Sequence, residues 1–464
     1  MSWGHWGWNV YGRCRHGFVS PGLRGSASAA QVRRDFAPGR PIRAVSVTTR
    51  WSTWSSVIAD RDLLRVELSW SASNAASWYA SAVIPIYVYS RVGLTAATLV
   101  FVAQYVPAAL LAPFINIATD RFKHKTILLA SGLTGAAAIA CSALVFYLDW
   151  PLWIVYLAIA IVGAARTVVR PAVFAFLRAQ APSQATLTAS NLVASTLDAV
   201  GQVFGLLLGA LLITHFGAGV AFIGLAALLV GQGACVIGIS EKAVSRARSV
   251  STGSVVRSLS VGARILWRNH DARILVIFDA VKEGVQVYVT VVLLAVSLYL
   301  FPGDAGGYAW LLAAMGLGGV FSIGFIPRLA SIHAAARIGA AIWTLTYGVV
   351  VIAIALVVLD ATDIALESAV VIALMFAFGV GAYVGAGLLA RQTQLALEQD
   401  TIGRTLGVAM TVRKASSALG AIAAHAALLV LGTGAALFVV GLIIPALCLL
   451  SWRSFRRVDD HIRR

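Results

Sequence analysis

The chain is 464 residues long, 59% of them hydrophobic and only 12% charged, with a mean hydropathy of +0.84. Soluble domains carry about 25% charged residues, so this composition excludes an ordinary soluble enzyme and points to a chain that crosses a membrane many times. The 36 Lys and Arg exceed the 19 Asp and Glu, for a net charge of +17, but the bases sit mainly in short loops between apolar runs, which makes anionic membrane lipids their partner and not nucleic acid.

Residues 1–58 contain Trp3, Trp6 and Trp8 among Gly, Ser and scattered Arg, with no apolar run of signal-peptide length. They read as a disordered basic N-terminal extension. Apolar runs begin after Asp60-Arg61-Asp62 and predict spans at 63–89, 94–118, 126–147, 152–177, 186–214 and 218–239. A second set follows at 273–300, 306–327, 337–359, 366–390, 404–430 and 433–452. The runs are long and lack period-2 alternation, so helices are expected and a barrel is not. The fold class is therefore an all-α polytopic membrane protein with twelve transmembrane helices, six within 59–240 and six within 273–452. A basic linker at 241–272 joins the two sets and a basic tail occupies 453–464. In the linker, Val255–Trp267 is amphipathic: Arg257, Arg264 and Arg268 share one helical face, with Val256, Leu259 and Trp267 available to the apolar side. Both an interfacial helix on lipid headgroups and a solvated linker fit this pattern.

Loop charges orient the spans, because cytoplasmic loops are rich in Lys and Arg. One side receives Arg121, Lys123, Lys125, Arg178, Lys242, Arg246, Arg248, Arg257, Arg328, Arg337, Arg391, Arg404 and the tail from Arg453. The other receives Arg91, Asp149, His215, Asp304, Asp360, Asp363 and Glu367, which places both termini in the cytoplasm. Cys141, Cys235 and Cys448 fall inside apolar runs and Cys14 in the extension, without metal or disulfide spacing. His215 and His425 have no acid or cysteine at ligand spacing, so no metal is expected. No phosphate loop, nucleophile elbow or catalytic His and Asp pair occurs, so neither a nucleotide-driven pump nor an enzyme is expected, and no cofactor.

Between the second and third spans the chain reads Asn116-Ile117-Ala118-Thr119-Asp120-Arg121-Phe122-Lys123-His124-Lys125. An acid followed by bases in a tight cytoplasmic turn can hold Asp120 against a helix N-terminus while Arg121, Lys123 and Lys125 anchor to the leaflet. This segment resembles the signature loop of the major facilitator superfamily, with Asn116 and Lys123 in place of two glycines. The likeness continues through Gly163–Arg166, Pro171-Ala172, Asn191, Gly201-Gln202-Val203-Phe204-Gly205 and Gly307–Ala314, which resemble the branch of small multidrug, macrolide and enterobactin-type exporters. Gln202 stands where antiporters of the family carry a proline, and the second copy of the loop, near Pro327-Arg328, lacks the acid. The resemblance implies two six-helix bundles rocking about a central site, lined by the first, fourth, seventh and tenth spans. It also implies a switch role for Asp120 and Arg121.

Charges inside apolar spans need a partner or a task. Arg166 and Asp198 lie at similar depth on neighbouring spans, where an ion pair and a role in coupling are even alternatives. The seventh span carries Asp279, Lys282 and Glu283; a Lys282 to Asp279 pair would leave Glu283 freer to titrate. Glu283 is the first candidate for proton coupling, then Asp198, with Asp279 beside them. Arg413 and Lys414 reach the same depth, so an ion pair locking the second bundle is the competing account for Glu283. Arg166, Arg170 and Lys282 are candidates for the substrate cavity, with Trp70, Asn74, Trp78, Tyr79, Gln104 and Tyr105 as an aromatic and amide lining suited to amphiphilic ligands. Glu67 is expected as a headgroup-level charge. These readings converge on a monomeric, proton-coupled exporter of amphiphilic drug-like or siderophore-like small molecules in a bacterial cytoplasmic membrane. The alternatives are a lipid or lysophospholipid transporter and a non-transporting sensor of the same fold.

Overall fold

The computed structural model describes residues 57–462, apart from position 58 and the stretches 115–121, 149–150, 181–183, 240–251, 303–305, 327–328, 330–331, 333, 360–363 and 397–401. The N-terminal extension, Asp120, Arg121, Lys242, Arg246, Arg248 and Arg328 therefore lie outside the described residues. Helix α1 (Arg61–Val92) begins where the Asp60 carboxylate accepts from the N–H groups of Asp62 and Leu63 at 3.0 and 3.1 Å, a side-chain cap for donors that the helix itself cannot satisfy. It ends at Gly93, whose φ of +97° is a conformation that glycine adopts without a Cβ clash, and α2 (Leu94–Leu111) follows at once. Next comes α3 (His124–Leu148).

The predicted fourth span is two helices, α4 (Trp153–Thr167) and α5 (Val169–Gln180). Pro171 explains the cut, since it offers no N–H to the Thr167 carbonyl and its ring crowds that group. Regular pairing resumes with Ala172 N–H donating to the Val168 carbonyl at 3.1 Å. The fifth and sixth predicted spans lie end to end in α6 (Gln184–Ala234), divided by Gly217 at φ 77° and ψ 176°. After α7 (Thr252–Arg268) come α8 (His270–Leu300), α9 (Gly307–Ser322), α10 (Ala335–Leu359), α11 (Ile364–Ala396), α12 (Ile402–Leu431) and α13 (Thr433–Ile462).

Among the described residues nine helices are long and apolar enough to cross a membrane. The difference from the twelve predicted spans has local causes. Helix α1 carries Arg61, Asp62, Arg65 and Glu67 with many Ser, α9 is only 16 residues long, and α6 is a single helix by length although Gly217 divides it. The amphipathic linker segment is helical as α7, with Leu266 turned inward against Ala272 and Val276 and Trp267 outside beneath the Arg273 guanidinium, 5.1 Å from the ring centre. Helix α13 continues through the basic segment that follows the last predicted span. Phe455 and Val458 are buried there, and the Asp459 carboxylate accepts from the N–H of Ala336 at 2.9 Å and from Arg337 Nε at 2.9 Å, capping α10.

In the first half α1 packs on α6, α6 on α3, α3 on α4 and α4 on α2; in the second α8 packs on α12, α9 on α11, and α10 on α11 and α13. The halves meet where α2 packs on α12 and α6 on α9, and Thr98 Oγ1 and His425 Nδ1 are hydrogen-bonded at 2.6 Å across the first of these seams.

The two halves repeat one set of contacts. A Cβ on Gly205 of α6 would overlap the Ala75 carbonyl of α1, and a Cβ on Gly420 of α12 would overlap the Gly284 carbonyl of α8; such backbone approach needs a residue without a side chain. Tyr79 Oη donates to the Ala221 carbonyl at 2.7 Å, and Tyr288 Oη to the Ala436 carbonyl at 3.0 Å. Ala75 and Tyr79 are spaced as Gly284 and Tyr288 are, and Gly205, Gly217 and Ala221 as Gly420, Gly432 and Ala436. Gly217 and Gly432 both take positive φ.

Candidate functional site

Mid-helix charges of both halves come within electrostatic reach of one another. On α8, Lys282 Nζ lies 3.2 Å from the Asp279 carboxylate one turn earlier, a same-face spacing. Glu283 is not left single by that pairing: its carboxylate is 2.6 Å from Arg413 Nη2 of α12. The reason is the neighbouring Gly284, which with Gly420 lets α8 and α12 approach closely enough for the two side chains to meet. The Arg413 guanidinium keeps a buried Nε without a hydrogen-bond partner among the described residues.

In the first half, Arg166 stands in the last turn of α4 and Arg170 in the first turn of α5, on either side of the break before Pro171. The Arg170 guanidinium sits 6.0 Å from the centre of the Trp70 ring and 5.6 Å from that of Phe174, within cation–π range. Asp198 of α6 uses its backbone carbonyl to accept from Asn74 Nδ2 of α1, and its carboxylate makes no ion pair among the described residues. Of the two alternatives for Arg166 and Asp198, the ion pair is not formed among the described residues. Arg170 lies in the field of Arg413, Asp198, Glu283 and Asp279, and Lys414 in that of Glu283, Arg413, Arg166 and Arg170. The repeated contacts put Asn74 in the place of Glu283, and Asp198 in the place of Arg413.

Two of the expected lining residues, Asn74 and Tyr79, bond α1 to α6. Tyr79 is fully buried and bonded to the Ala221 carbonyl, which places it in the α1 and α6 packing and not in a cavity. Tyr79→Phe is expected to lower the stability of the detergent-solubilised protein by about 1 kcal/mol, the usual worth of one hydrogen bond, in thermal unfolding, while leaving probe affinities unchanged. Gln104 is buried with its backbone against Gly163, and its Oε1 has no partner among the described residues. Trp78 and Tyr105 are half-buried. Glu67 departs from expectation: it is fully buried, and neither carboxylate oxygen has a hydrogen-bond partner among the described residues. A position near the start of a span is headgroup-level only if its face looks outward, and here α1 is enclosed by α5 and α6. Phe174 was not anticipated; its position four residues after Arg170, on the same helical face, is the signal that could have found it. Of the signature segment, Lys125 Nζ donates to the Ile239 carbonyl at 3.2 Å, tying the start of α3 to the chain just past α6, and Lys123 precedes α3.

The model of the Major Facilitator Superfamily matches residues 68–421. No curated protein sequence matches the chain. Among solved structures, a variant of the nucleoside transporter NupG superposes with a TM-score of 0.64 at 14% identity, covering 85% of this chain and 99% of that one. The crystal structure of NupG itself gives a TM-score of 0.60 at 13% identity, covering 85% and 98%. A structure from a study of substrate recognition in proton dependent oligopeptide transporters gives 0.62 at 14% identity, covering 87% of this chain and 99% of that one. At these identities the likeness is one of fold.

Proposed function

The chain belongs to the major facilitator superfamily, and from that premise we propose that it is a proton-coupled secondary transporter exporting amphiphilic, drug-like or siderophore-like molecules from the bacterial cytoplasm. It works as a monomer, as two six-helix bundles with both termini cytoplasmic, by alternating access about the mid-helix charges. The observation that carries this reading is the Arg413 to Glu283 ion pair between α8 and α12 with the Lys282 to Asp279 pair beside it, in a chain that also sets Arg166, Arg170, Asp198 and Lys414 in otherwise apolar helices. Buried charge of this kind is retained in a membrane when it has work to do.

In this mechanism Asp198 is the carboxylate open to proton exchange, since Arg413 holds Glu283. A proton reaching Glu283 would release Arg413, and Asp279 keeps Lys282 in place. Rearranging these pairs changes what the α8 and α12 side offers to the α4 and α6 side, which is the differential interaction a two-state switch needs. Asp120 and Arg121, with Lys123 and Lys125, form the switch loop at the cytoplasmic ends of the second and third spans. Phe174 and Tyr105, both half-buried, offer aromatic surface to an amphiphile, with the buried Trp70 behind Phe174.

Inverted membrane vesicles test the reading with a panel of lipophilic cations, macrolides and siderophores, with and without uncoupler. Uptake of at least one compound is expected, abolished by uncoupler and reduced to the level of empty vesicles in Asp198→Asn and Glu283→Gln. Uptake indifferent to uncoupler would remove proton coupling, and no uptake of any compound would favour the lipid transporter or the sensor.

A further inference from the structure

The sign of the substrate's charge can be drawn from the same residues, and this step rests on the transporter reading. The mid-helix cations are Arg166, Arg170, Lys282, Arg413 and Lys414, and the mid-helix acids are Asp198, Asp279 and Glu283. Asp279 takes up Lys282 and Glu283 takes up Arg413. Arg166, Arg170 and Lys414 are in no ion pair among the described residues: Asp198 is the one acid of the three not already paired, and Lys414 shares the field of a Glu283 that Arg413 already holds. Cations inside a membrane protein are costly unless a counter-charge stands by, so this surplus is satisfied when an anion enters.

We propose that the site between the halves binds an anionic group, a carboxylate or phosphate carried on an aromatic or apolar body, through Arg166, Arg170 and Lys414. Guanidinium forks match the paired oxygens of both groups. The half-buried Phe174 ring beside the Arg170 guanidinium gives the body of the ligand a place to stack.

The test uses the purified full chain and two aromatic dyes of similar size and opposite charge, fluorescein and tetramethylrhodamine methyl ester, read by fluorescence anisotropy and by counterflow in proteoliposomes. Fluorescein is expected to bind at least about tenfold more tightly than the rhodamine. Arg170→Gln should weaken fluorescein binding by about tenfold, with most of it restored in Arg170→Lys. Tighter binding of the rhodamine, or no binding of fluorescein to folded protein, would each overturn the proposal. Fluorescein binding without counterflow would uphold the anion site and sink the transporter reading, whereas counterflow of the rhodamine alone would do the reverse.

Discussion

Arg413→Ala is expected to destabilise the protein by about 3 kcal/mol or more in detergent, because it strands the Glu283 carboxylate between α8 and α12. The two side chains are 30% and 15% exposed, so solvent offers the stranded acid little compensation. Removing both charges has a different outcome. In Glu283→Gln combined with Arg413→Gln neither partner of this pair is left charged without the other, and most of the stability should return. Thermal unfolding of the two single variants and the double variant forms a cycle with a large coupling energy. Additive losses would mean that each residue is held by other partners, and that the 2.6 Å contact contributes little.

Gly205→Val is expected to do more, and to leave no monodisperse protein on size-exclusion chromatography. A Cβ there meets the Ala75 carbonyl and the backbone behind it, so α1 and α6 would have to separate. Ala75→Gly should give no rescue, because the overlap is with main chain and not with the alanine methyl. Gly231→Ala is the contrasting case, since nothing lies within 4 Å of its Cβ position. That change should be tolerated or slightly stabilising, as expected where alanine replaces glycine in an open helical position. Loss of Gly231→Ala protein to the same degree would remove the close-approach explanation for Gly205.

What could be read in advance follows from the range of each interaction. Apolar runs and capping residues are local, so the start of α1 at Asp60 and the amphipathic α7 are legible in the sequence, and so is the Lys282 to Asp279 pair one helical turn apart. Membership of the superfamily is legible from the segment at Asp120 to Lys125 and its place between two spans. Pairing between helices is another matter, because it depends on how each is rotated. That rotation decides that Arg413 meets Glu283, that Arg166 and Asp198 do not pair, and that Tyr79 and Glu67 turn inward. The short break between α4 and α5 had a visible cause in Pro171, but a proline within a span signals either a kink or a stop, and geometry alone chooses.

The matched tyrosine bonds, Tyr79 to Ala221 and Tyr288 to Ala436, bear on ancestry. A chain whose halves keep equal spacings between equivalent contacts is organised as a duplicated and fused sequence. In a symmetric pair of identical copies, Asp198 and Arg413 would have to be the same residue, setting two like charges against each other at one depth. Fusion lifts that constraint, because each copy can then mutate without its twin. One inherited position holds an acid in the first copy and a base in the second, and the interior gains a polarity that no pair of identical copies could have.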